Sequence, residues 1–206
     1  MKQISNKNIH PLWLRINHWS NALAVILMIL SGWRIYNASP LFAFSFPKEY
    51  TLGGWLGGAL QWHFAVMWLF VLNGLLYLII NILSGRFRQR FWPLSMKRLV
   101  TEFISALKGR LDHHDLRQYN MVQKCAYLLV MADGILLVLS GLVLWKSVQF
   151  AVLRELLGGY DNARLIHFFA MAFLCLFILV HLAMVLLVPK TLQLMIRGRW
   201  IWKRIK

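Results

Sequence analysis

Four long apolar runs, separated by shorter polar stretches, dominate the hydrophobic pattern of this chain. They cover approximately residues 19–38, 59–83, 125–145 and 165–188. Each is close to the roughly 20 residues that an α-helix needs to cross a hydrocarbon core about 30 Å thick. No other stretch of the 206-residue chain is long and apolar enough to form a further membrane span. The pattern therefore predicts an all-α integral membrane protein, a four-helix bundle that forms one domain over residues 1–206.

The composition agrees with a membrane location. Hydrophobic residues make up 59% of the chain, and the mean hydropathy is +0.57. Both values are too high for an ordinary soluble domain of this length. We expect the chain to contact membrane lipid along most of its length.

The positive charge is distributed unevenly and predicts the topology. Eighteen of the 23 Lys and Arg residues lie in the segment before the first run, in the connection 86–124 or in the tail from residue 190. The positive-inside rule places those segments in the cytoplasm, with both termini. The net charge of +16 could instead suggest a nucleic-acid-binding face, but no soluble module exists to present one. The sequence predicts a multi-pass protein of the bacterial inner membrane without a nucleic-acid partner.

Two histidines lie in the last apolar run, fourteen residues apart. Fourteen residues turn a helix by 40° less than four full turns, so His167 and His181 share nearly one face. Along the axis they are about 21 Å apart, which is too far for a single metal. The spacing therefore predicts two centres, one near each side of the membrane.

The predicted topology supplies each centre with a second histidine at matching depth. His63 and His167 lie close to the outer ends of their runs, whereas His18 and His181 lie near the inner face. Bis-histidine ligation of two haem b groups, with His63 and His167 on the outer iron and His18 and His181 on the inner iron, would use all four rings. Interhelical hydrogen bonding without a cofactor is the main alternative. A copper or zinc site is less favoured, because such sites usually bring Cys, Asp or Glu at the same level.

A weak internal repeat relates the two halves of the chain. "VILMILSGW" in the first run resembles "ILLVLSGLV" in the third, and "LQWHFAVMWLF" in the second resembles "RLIHFFAMAFL" in the fourth. This alignment matches His63 with His167. Glycines in the runs would permit close approach of a helix or a flat macrocycle, or ordinary helix packing: Gly32, Gly74, Gly134 and Gly141.

The connection between the second and third runs contains one amphipathic segment. Apolar residues at helical spacing and basic residues on the opposite face predict a helix over about residues 95–111. We expect it to lie on the inner leaflet, since basic flanks are attracted to anionic lipid. Packing on a cytoplasmic partner would give the same pattern.

Several of these residues together resemble a known family. They are "RINHW" from Arg15 to Trp19, the early His63, the interval from His167 to His181, and "QYNMVQK" over 118–124. The chain resembles the bacterial and hydrogenase-type cytochrome b561 superfamily, which includes membrane cytochrome b subunits of formate dehydrogenases, nickel-iron hydrogenases and thiosulfate-reductase-like systems. The likeness covers essentially all four runs.

The resemblance implies a di-haem b protein that exchanges electrons between quinone and a redox partner. By family analogy the partner is a periplasmic molybdopterin oxidoreductase, with a hydrogenase as the second choice. In formate dehydrogenase relatives quinone lies near the inner haem, which on this chain suggests Asn120 and His181, with Gln123 close by. Val122 stands where those relatives often have Gly, so the pocket would be narrower or displaced. Helix capping is the structural alternative for Asn120 and Gln123.

Charged residues in or near the runs have two interpretations each. Arg15, Arg34 and Arg164 lie at depths suited to pairing with haem propionates, or are interfacial charges whose stems lie in lipid. Asp133, the carboxylate well inside a run, could transfer protons during quinone chemistry or bond to a neighbouring helix.

Two other functional classes fit parts of the pattern. A stand-alone superoxide:quinone oxidoreductase would use basic residues near the outer face to attract the anion; those residues are Lys48, Lys146, Arg154 and Arg164. A haem-free transporter or scaffold would need none of the iron chemistry. The sequence leaves open the partner, the direction of electron flow, the quinone type, the haem potentials and the oligomeric state; an oligomer is compatible with it.

Overall fold

Helices account for the regular structure of the chain. The computed structural model describes residues 10–107 and 119–198, and no strand occurs among them. A 3-10 turn at Lys48–Tyr50 lies in the loop between the first two long helices. In chain order the helices are α1 (Leu12–Ala38), α2 (Leu56–Leu83), α3 (Arg86–Phe91), α4 (Met96–Leu107), α5 (Met121–Trp145), α6 (Ala151–Leu156), α7 (Tyr160–Leu187) and α8 (Lys190–Arg197). The predicted all-α class is confirmed.

Within the described residues, three helices are long and apolar enough to cross a membrane. They are α2, α5 and α7, of 28, 25 and 28 residues. The 27 residues of α1 would span about 40 Å, but polar residues such as Asn17, Asn21 and Arg34 lower its hydropathy. The protein is therefore a membrane protein by its three apolar helices, and the crossing of α1 stays a prediction.

All four long helices begin before the apolar runs that predict them. The first helix starts at Leu12, directly after Pro11, rather than near residue 19. Likewise α5 starts at Met121 and α7 at Tyr160, four and five residues before their runs. Hydropathy detects only the helical turns whose side chains are apolar. The backbone hydrogen bonds of each helix extend further, into helical turns with polar side chains. Pro11 fits the position before α1 because its missing N–H has no helical acceptor there.

The chain folds as two compact units. The first comprises residues 1–79 and 182–206, and the second comprises residues 80–181. The first unit contains α1, most of α2 and α8; the second contains α3 to α6 and most of α7. One domain over residues 1–206 stays a prediction.

In the first unit, the loop between α1 and α2 folds back onto α1. The Asn37 side chain donates to the Phe46 carbonyl and accepts from the Phe46 N–H, both at 2.8 Å. The Trp33 and Phe46 rings stack with centroids 4.6 Å apart. The N–H of Leu52 donates to the Leu30 carbonyl at 3.0 Å. Backbone and ring contacts therefore hold the loop against the C-terminal half of α1.

At the other end of the same unit, Arg15 holds the end of α8. Its Nε donates to the Met195 carbonyl at 3.2 Å, and its Nη2 donates to the Ile196 carbonyl. A cation at a helix C-terminus satisfies carbonyls that have no helical partner and complements the helix dipole. The start of α1 and the end of α8 are thus joined.

In the second unit, the connection between α2 and α5 packs on the start of α5. The Glu102 carboxylate accepts the Met121 N–H at 2.5 Å, which places a negative charge at the N-terminus of α5. Arg90 Nη1 donates to the Tyr119 hydroxyl at 2.9 Å. The predicted amphipathic helix is confirmed over Met96–Leu107; residues 108–111 lie outside the described part. Apolar side chains along α4 are exposed, namely Met96, Val100, Phe103 and Ile104, and placement of α4 on the inner leaflet stays a prediction.

Candidate functional site

In the first unit, His63 on α2 is held by a serine on α1. Nδ1 of His63 lies 3.0 Å from Oγ of Ser31, a side chain with no exposed surface. The same Oγ lies 2.7 Å from the Leu27 carbonyl, one helical turn back on α1. The imidazole is therefore fixed against the neighbouring helix by a single buried hydroxyl.

The second unit repeats this arrangement around His167 on α7. Nδ1 of His167 lies 2.9 Å from Oγ of Ser140 on α5. Ser140 is also fully buried, and its Oγ lies 2.7 Å from the Leu136 carbonyl. Two serines thus hold two histidines in equivalent positions, which supports the internal repeat.

The serine contacts are compatible with a proton on Nδ1 of each imidazole. A hydroxyl has one hydrogen, and a carbonyl oxygen can only accept, so a serine whose hydrogen points to the carbonyl of the preceding turn accepts Nδ1–H from the histidine. In that tautomer Nε2 is unprotonated and has a lone pair, which is the donor that haem iron takes from neutral imidazole. The donor sets at His63 and His167 fit haem b.

The glycine after each serine brings the ring close to the helix backbone. A Cβ added to Gly32 would lie 3.5 Å from Cε1 of His63, and a Cβ added to Gly141 would lie 3.3 Å from Cε1 of His167. Cε1 is the ring atom between the two nitrogens. Gly74 is different, because nothing lies within 4 Å of an added Cβ there. Gly32 and Gly141 thus shape the histidine sites, and Gly74 does not.

The other two predicted ligands, His18 and His181, contact aromatic rings. The His18 ring lies edge-on to Trp19 with centroids 5.4 Å apart, and the His181 ring is parallel to Phe177 at 6.1 Å. Helix α7 is continuous from Tyr160 to Leu187, so it carries both His167 and His181, about 21 Å apart along its axis. The pairing of histidines across the two units stays a prediction.

Asn120 and Gln123 form a capping box at the start of α5. The N–H of Gln123 donates to Oδ1 of Asn120 at 2.7 Å, and the N–H of Asn120 donates to Oε1 of Gln123 at 3.2 Å. The structural alternative weighed for these residues is therefore present. Both contacts use side-chain oxygens, so neither amide nitrogen takes part in the cap. A quinone contact at these residues stays a prediction.

The candidate propionate residues lie at opposite ends of the helices. The Arg15 guanidinium binds α8 carbonyls through Nε and Nη2, which uses part of its donor capacity. Arg34 is half-buried near the C-terminal end of α1, and Arg164 is half-buried near the N-terminal end of α7. Their propionate role stays a prediction. Asp133 is 8% exposed, and its Oδ2 has no hydrogen-bond partner among the residues that the structure describes.

Sequence reasoning missed the two serines that hold the histidines. Ser31 and Ser140 occupy the same place in the "LSG" of the two aligned repeat segments, directly before Gly32 and Gly141. That shared position was the available signal. A serine in an apolar helix usually bonds to its own backbone, as both of these do, so the pattern alone did not indicate a second contact.

Replacing Ser140 by alanine should loosen haem at His167. The variant loses the acceptor for Nδ1–H, so the ring can adopt the other tautomer and rotate. Loss of a hydrogen bond that orients a metal-binding histidine typically weakens metal binding by about 10- to 100-fold. Haem titration of the apoprotein and the Soret spectrum would measure this change.

Ser84→Ala is the matched control for this variant. Ser84 Oγ makes the same type of bond to the carbonyl four residues back, at 2.6 Å from Ile80. Its other bond goes to the Asn81 carbonyl at 3.4 Å, so its hydroxyl is bonded to backbone rather than to an imidazole. We expect normal haem affinity in Ser84→Ala. Equal affinity in Ser140→Ala and the wild type would refute the proposed role of the serine.

An alanine series at three glycines should give graded effects. Ala favours a helix over Gly by about 1 kcal/mol, so Gly74→Ala should raise thermal stability and leave the haem spectrum unchanged. Gly32→Ala adds an ordinary contact to His63, whereas Gly141→Ala presses on His167 at 3.3 Å. We expect the largest spectral change for Gly141→Ala, measured by optical and low-temperature EPR spectra. The reverse order would contradict the geometry.

Imidazoles held between long apolar helices are compatible with a membrane cytochrome b, and sequence comparison shows that class of protein. The family model for prokaryotic cytochrome b561 matches residues 9–198. The chain therefore belongs to that family, and it is a membrane-bound, haem b-binding electron-transfer protein. The family resemblance found in the sequence is confirmed.

One curated relative is similar over nearly its full length. It is a protein of Azospira oryzae named "Putative protein-methionine-sulfoxide reductase subunit YedZ1". The two chains are 61% identical over 190 residues, which cover 92% of this chain and 96% of the relative.

Proposed function

We propose that this protein carries electrons from membrane quinol to a soluble methionine-sulfoxide reductase, by means of two haem b groups. The observation that carries this proposal is the repeated serine–histidine contact, in which a serine oxygen lies beside Nδ1 of both His63 and His167, so that Nε2 is the nitrogen that would bind iron. The name of the Azospira oryzae relative supports a methionine-sulfoxide reductase as the partner. The position of His181 on the same helix as His167 supports a second centre.

In this proposal α1 is the fourth span, and both termini are cytoplasmic in the bacterial inner membrane. The polar residues of α1 are compatible with that position because partners meet them within the first unit. The Asn17 amide bonds to Asn73 on α2, and the Arg15 guanidinium bonds to α8. Satisfied polar groups are tolerated in a membrane helix, whereas unpaired ones are costly.

The four histidines would hold two haem groups at two depths. When bound, haem iron accepts and releases single electrons, with a potential that depends on its ligands and surroundings. His63 and His167 would hold the outer haem, where Ser31 and Ser140 orient their rings through Nδ1. His18 and His181 serve the inner centre, near the cytoplasmic side. Two haems about 21 Å apart along the helix axis would shorten the distance that an electron crosses in each transfer.

In this proposal, quinol is oxidised near the inner haem. A quinol that becomes quinone releases two electrons and two protons, and reduction of a methionine sulfoxide to methionine and water consumes two of each. The side-chain nitrogens of Asn120 and Gln123 lie outside the capping bonds and can donate to a quinone carbonyl. Arg15, Arg34 and Arg164 supply cations for the propionates. A partner in the periplasm receives the electrons at the outer end.

The test is electron transfer by the purified protein in proteoliposomes. Added quinol should reduce the haem, and reductase plus methionine sulfoxide should then reoxidise it. A colourless protein would refute the haem assignment. Haem that quinol reduces but the reductase does not reoxidise would refute the partner. Rapid haem reduction by superoxide without any partner would favour the stand-alone oxidoreductase.

A further inference from the structure

Asparagine side chains tie α1 to α2 at a second place, far from the serine–histidine contact. Nδ2 of Asn17 donates to the Asn73 backbone carbonyl at 2.9 Å and to its Oδ1 at 2.7 Å. In return, Nδ2 of Asn73 donates to the Asn17 backbone carbonyl at 2.9 Å. Each side chain thus binds the backbone of the other helix. We call these two residues the asparagine clamp.

The clamp joins the first turns of α1 to the middle of α2 and is largely shielded from solvent. Asn17 is only 8% exposed. Asn73 lies ten residues beyond His63 on α2, which corresponds to about 15 Å along the axis. The clamp and the Ser31–His63 contact are therefore separate ties between the same two helices, one towards each end.

The clamp acts on the peptide bond that carries His18. The Asn17 carbonyl that accepts from Asn73 belongs to the Asn17–His18 peptide unit. Because a peptide unit is planar and rigid, holding this oxygen also restrains the position of the His18 α-carbon. The contact therefore restrains the peptide bond directly before His18, which is a predicted iron ligand.

A small shift of α1 along its axis would displace His18 by more than a metal site tolerates. A slip of one residue along a helix moves every side chain by about 1.5 Å and rotates it by about 100°. A working site needs its groups held to within about 0.5 Å and 10–20°. Asn17, Ala24 and Ser31 follow one another at seven-residue intervals on one buried face of α1. This face fixes the register of α1 against α2, and the clamp fixes it beside His18.

We propose that Asn17 and Asn73 are positioning residues for the inner haem, which they serve by holding the His18 backbone in ligating register. The inference rests on the proposed function, because it requires an inner haem bound by His18. Neither asparagine contacts the iron in this proposal. Both act indirectly, because their amides bind backbone and so position His18. The serines of the outer site restrain the ring itself, whereas the clamp restrains the backbone of the ligand.

The test is an Asn73→Leu variant with the outer haem as an internal reference. Leucine has the same number of side-chain heavy atoms with the same branching, and it removes every side-chain bond that Asn73 makes in the clamp. We expect the haem content to fall from about two towards about one per chain, or the inner haem to shift in reduction potential and EPR g value. The outer haem signal should remain as in the wild type. Haem content, redox titration and EPR do not depend on catalytic activity.

Two further variants separate positioning from general packing. Asn21→Leu removes only the long 3.5 Å contact from Asn73 Nδ2 to Asn21 Oδ1, so both haems should be unchanged. Asn73→Gln keeps the amide chemistry and should restore part of the inner signal, and it replaces the leucine variant if that protein does not fold. Unchanged inner haem in Asn73→Leu, or equal damage to both haems, would overturn the proposal. A wild-type protein with only one haem would refute the proposed function instead.

Discussion

Replacing His181 by alanine should remove the inner haem and abolish reduction of the protein by quinol. The variant leaves one axial position of that iron without its imidazole, and a methyl group cannot ligate. His167 is about 21 Å away along α7 and has its own contact to Ser140, so the outer haem should be retained. Pyridine haemochrome analysis should give about one haem per chain instead of about two. Stopped-flow mixing with quinol should show no rapid haem reduction.

Met184→Ala is the matched control for the His181 variant. Met184 lies three residues further along α7, is partly buried, and also carries a potential iron-ligating atom. Its loss should leave both haems and quinol reduction intact. If His181→Ala keeps both haems, or if Met184→Ala loses one, the assignment of the inner ligand is wrong. Chemical reduction by dithionite would show that the retained haem is still redox-active.

Replacing His63 by glycine should interrupt electron transfer at the outer haem. Quinol should still reduce the inner haem, but the reductase partner should receive no electrons, because the outer iron lacks a ligand. The expected result is haem reduction without methionine-sulfoxide turnover. Glycine at this position also opens a space beside Ser31 and Gly32, where the ring now lies. Added imidazole should fill this space, restore the outer haem spectrum and recover part of the turnover.

Ala65→Gly controls for the effect of glycine on α2. Glycine in a helix costs about 1 kcal/mol relative to alanine at any similar position, and Ala65 lies two residues from His63 on an exposed part of the helix. This variant should transfer electrons normally. If imidazole fails to restore the outer haem of His63→Gly, while haem content and the fold are otherwise normal, His63 is not the ligand. Loss of turnover in Ala65→Gly would attribute the effect to the helix.

Some of the expected site was visible in the sequence because it depends on short-range regularities. The helical period alone places His167 and His181 on one face of one helix, and the structure has both on the continuous α7. The repeat alignment matched His63 with His167, and both histidines have the same serine and glycine neighbours. The family resemblance rested on these same residues and is confirmed.

Other contacts could not be predicted, because they join residues distant in the chain. The Asn17–Asn73 bonds connect positions 56 residues apart, and the Arg15 bond to the Met195 carbonyl connects positions 180 apart. No periodicity relates such residues. Asn17 and Asn73 look like unfavourable polar interruptions of apolar runs until the opposite helix is present. Similarly, Arg15 could be assigned to a propionate or to the interface, but not to the end of a short helix.

The sequence by itself determined the helical class, the membrane environment and the family. These follow from hydropathy, the 3.6-residue period and local motifs, which depend only on near neighbours in the chain. Only the tertiary structure decided that Ser31 and Ser140 lie beside Nδ1 of two imidazoles, that Gly32 and Gly141 lie against those rings, and that two asparagines hold helices α1 and α2 together. A hydrogen bond requires two groups within about 3 Å, and that proximity arises only when separate helices pack against each other.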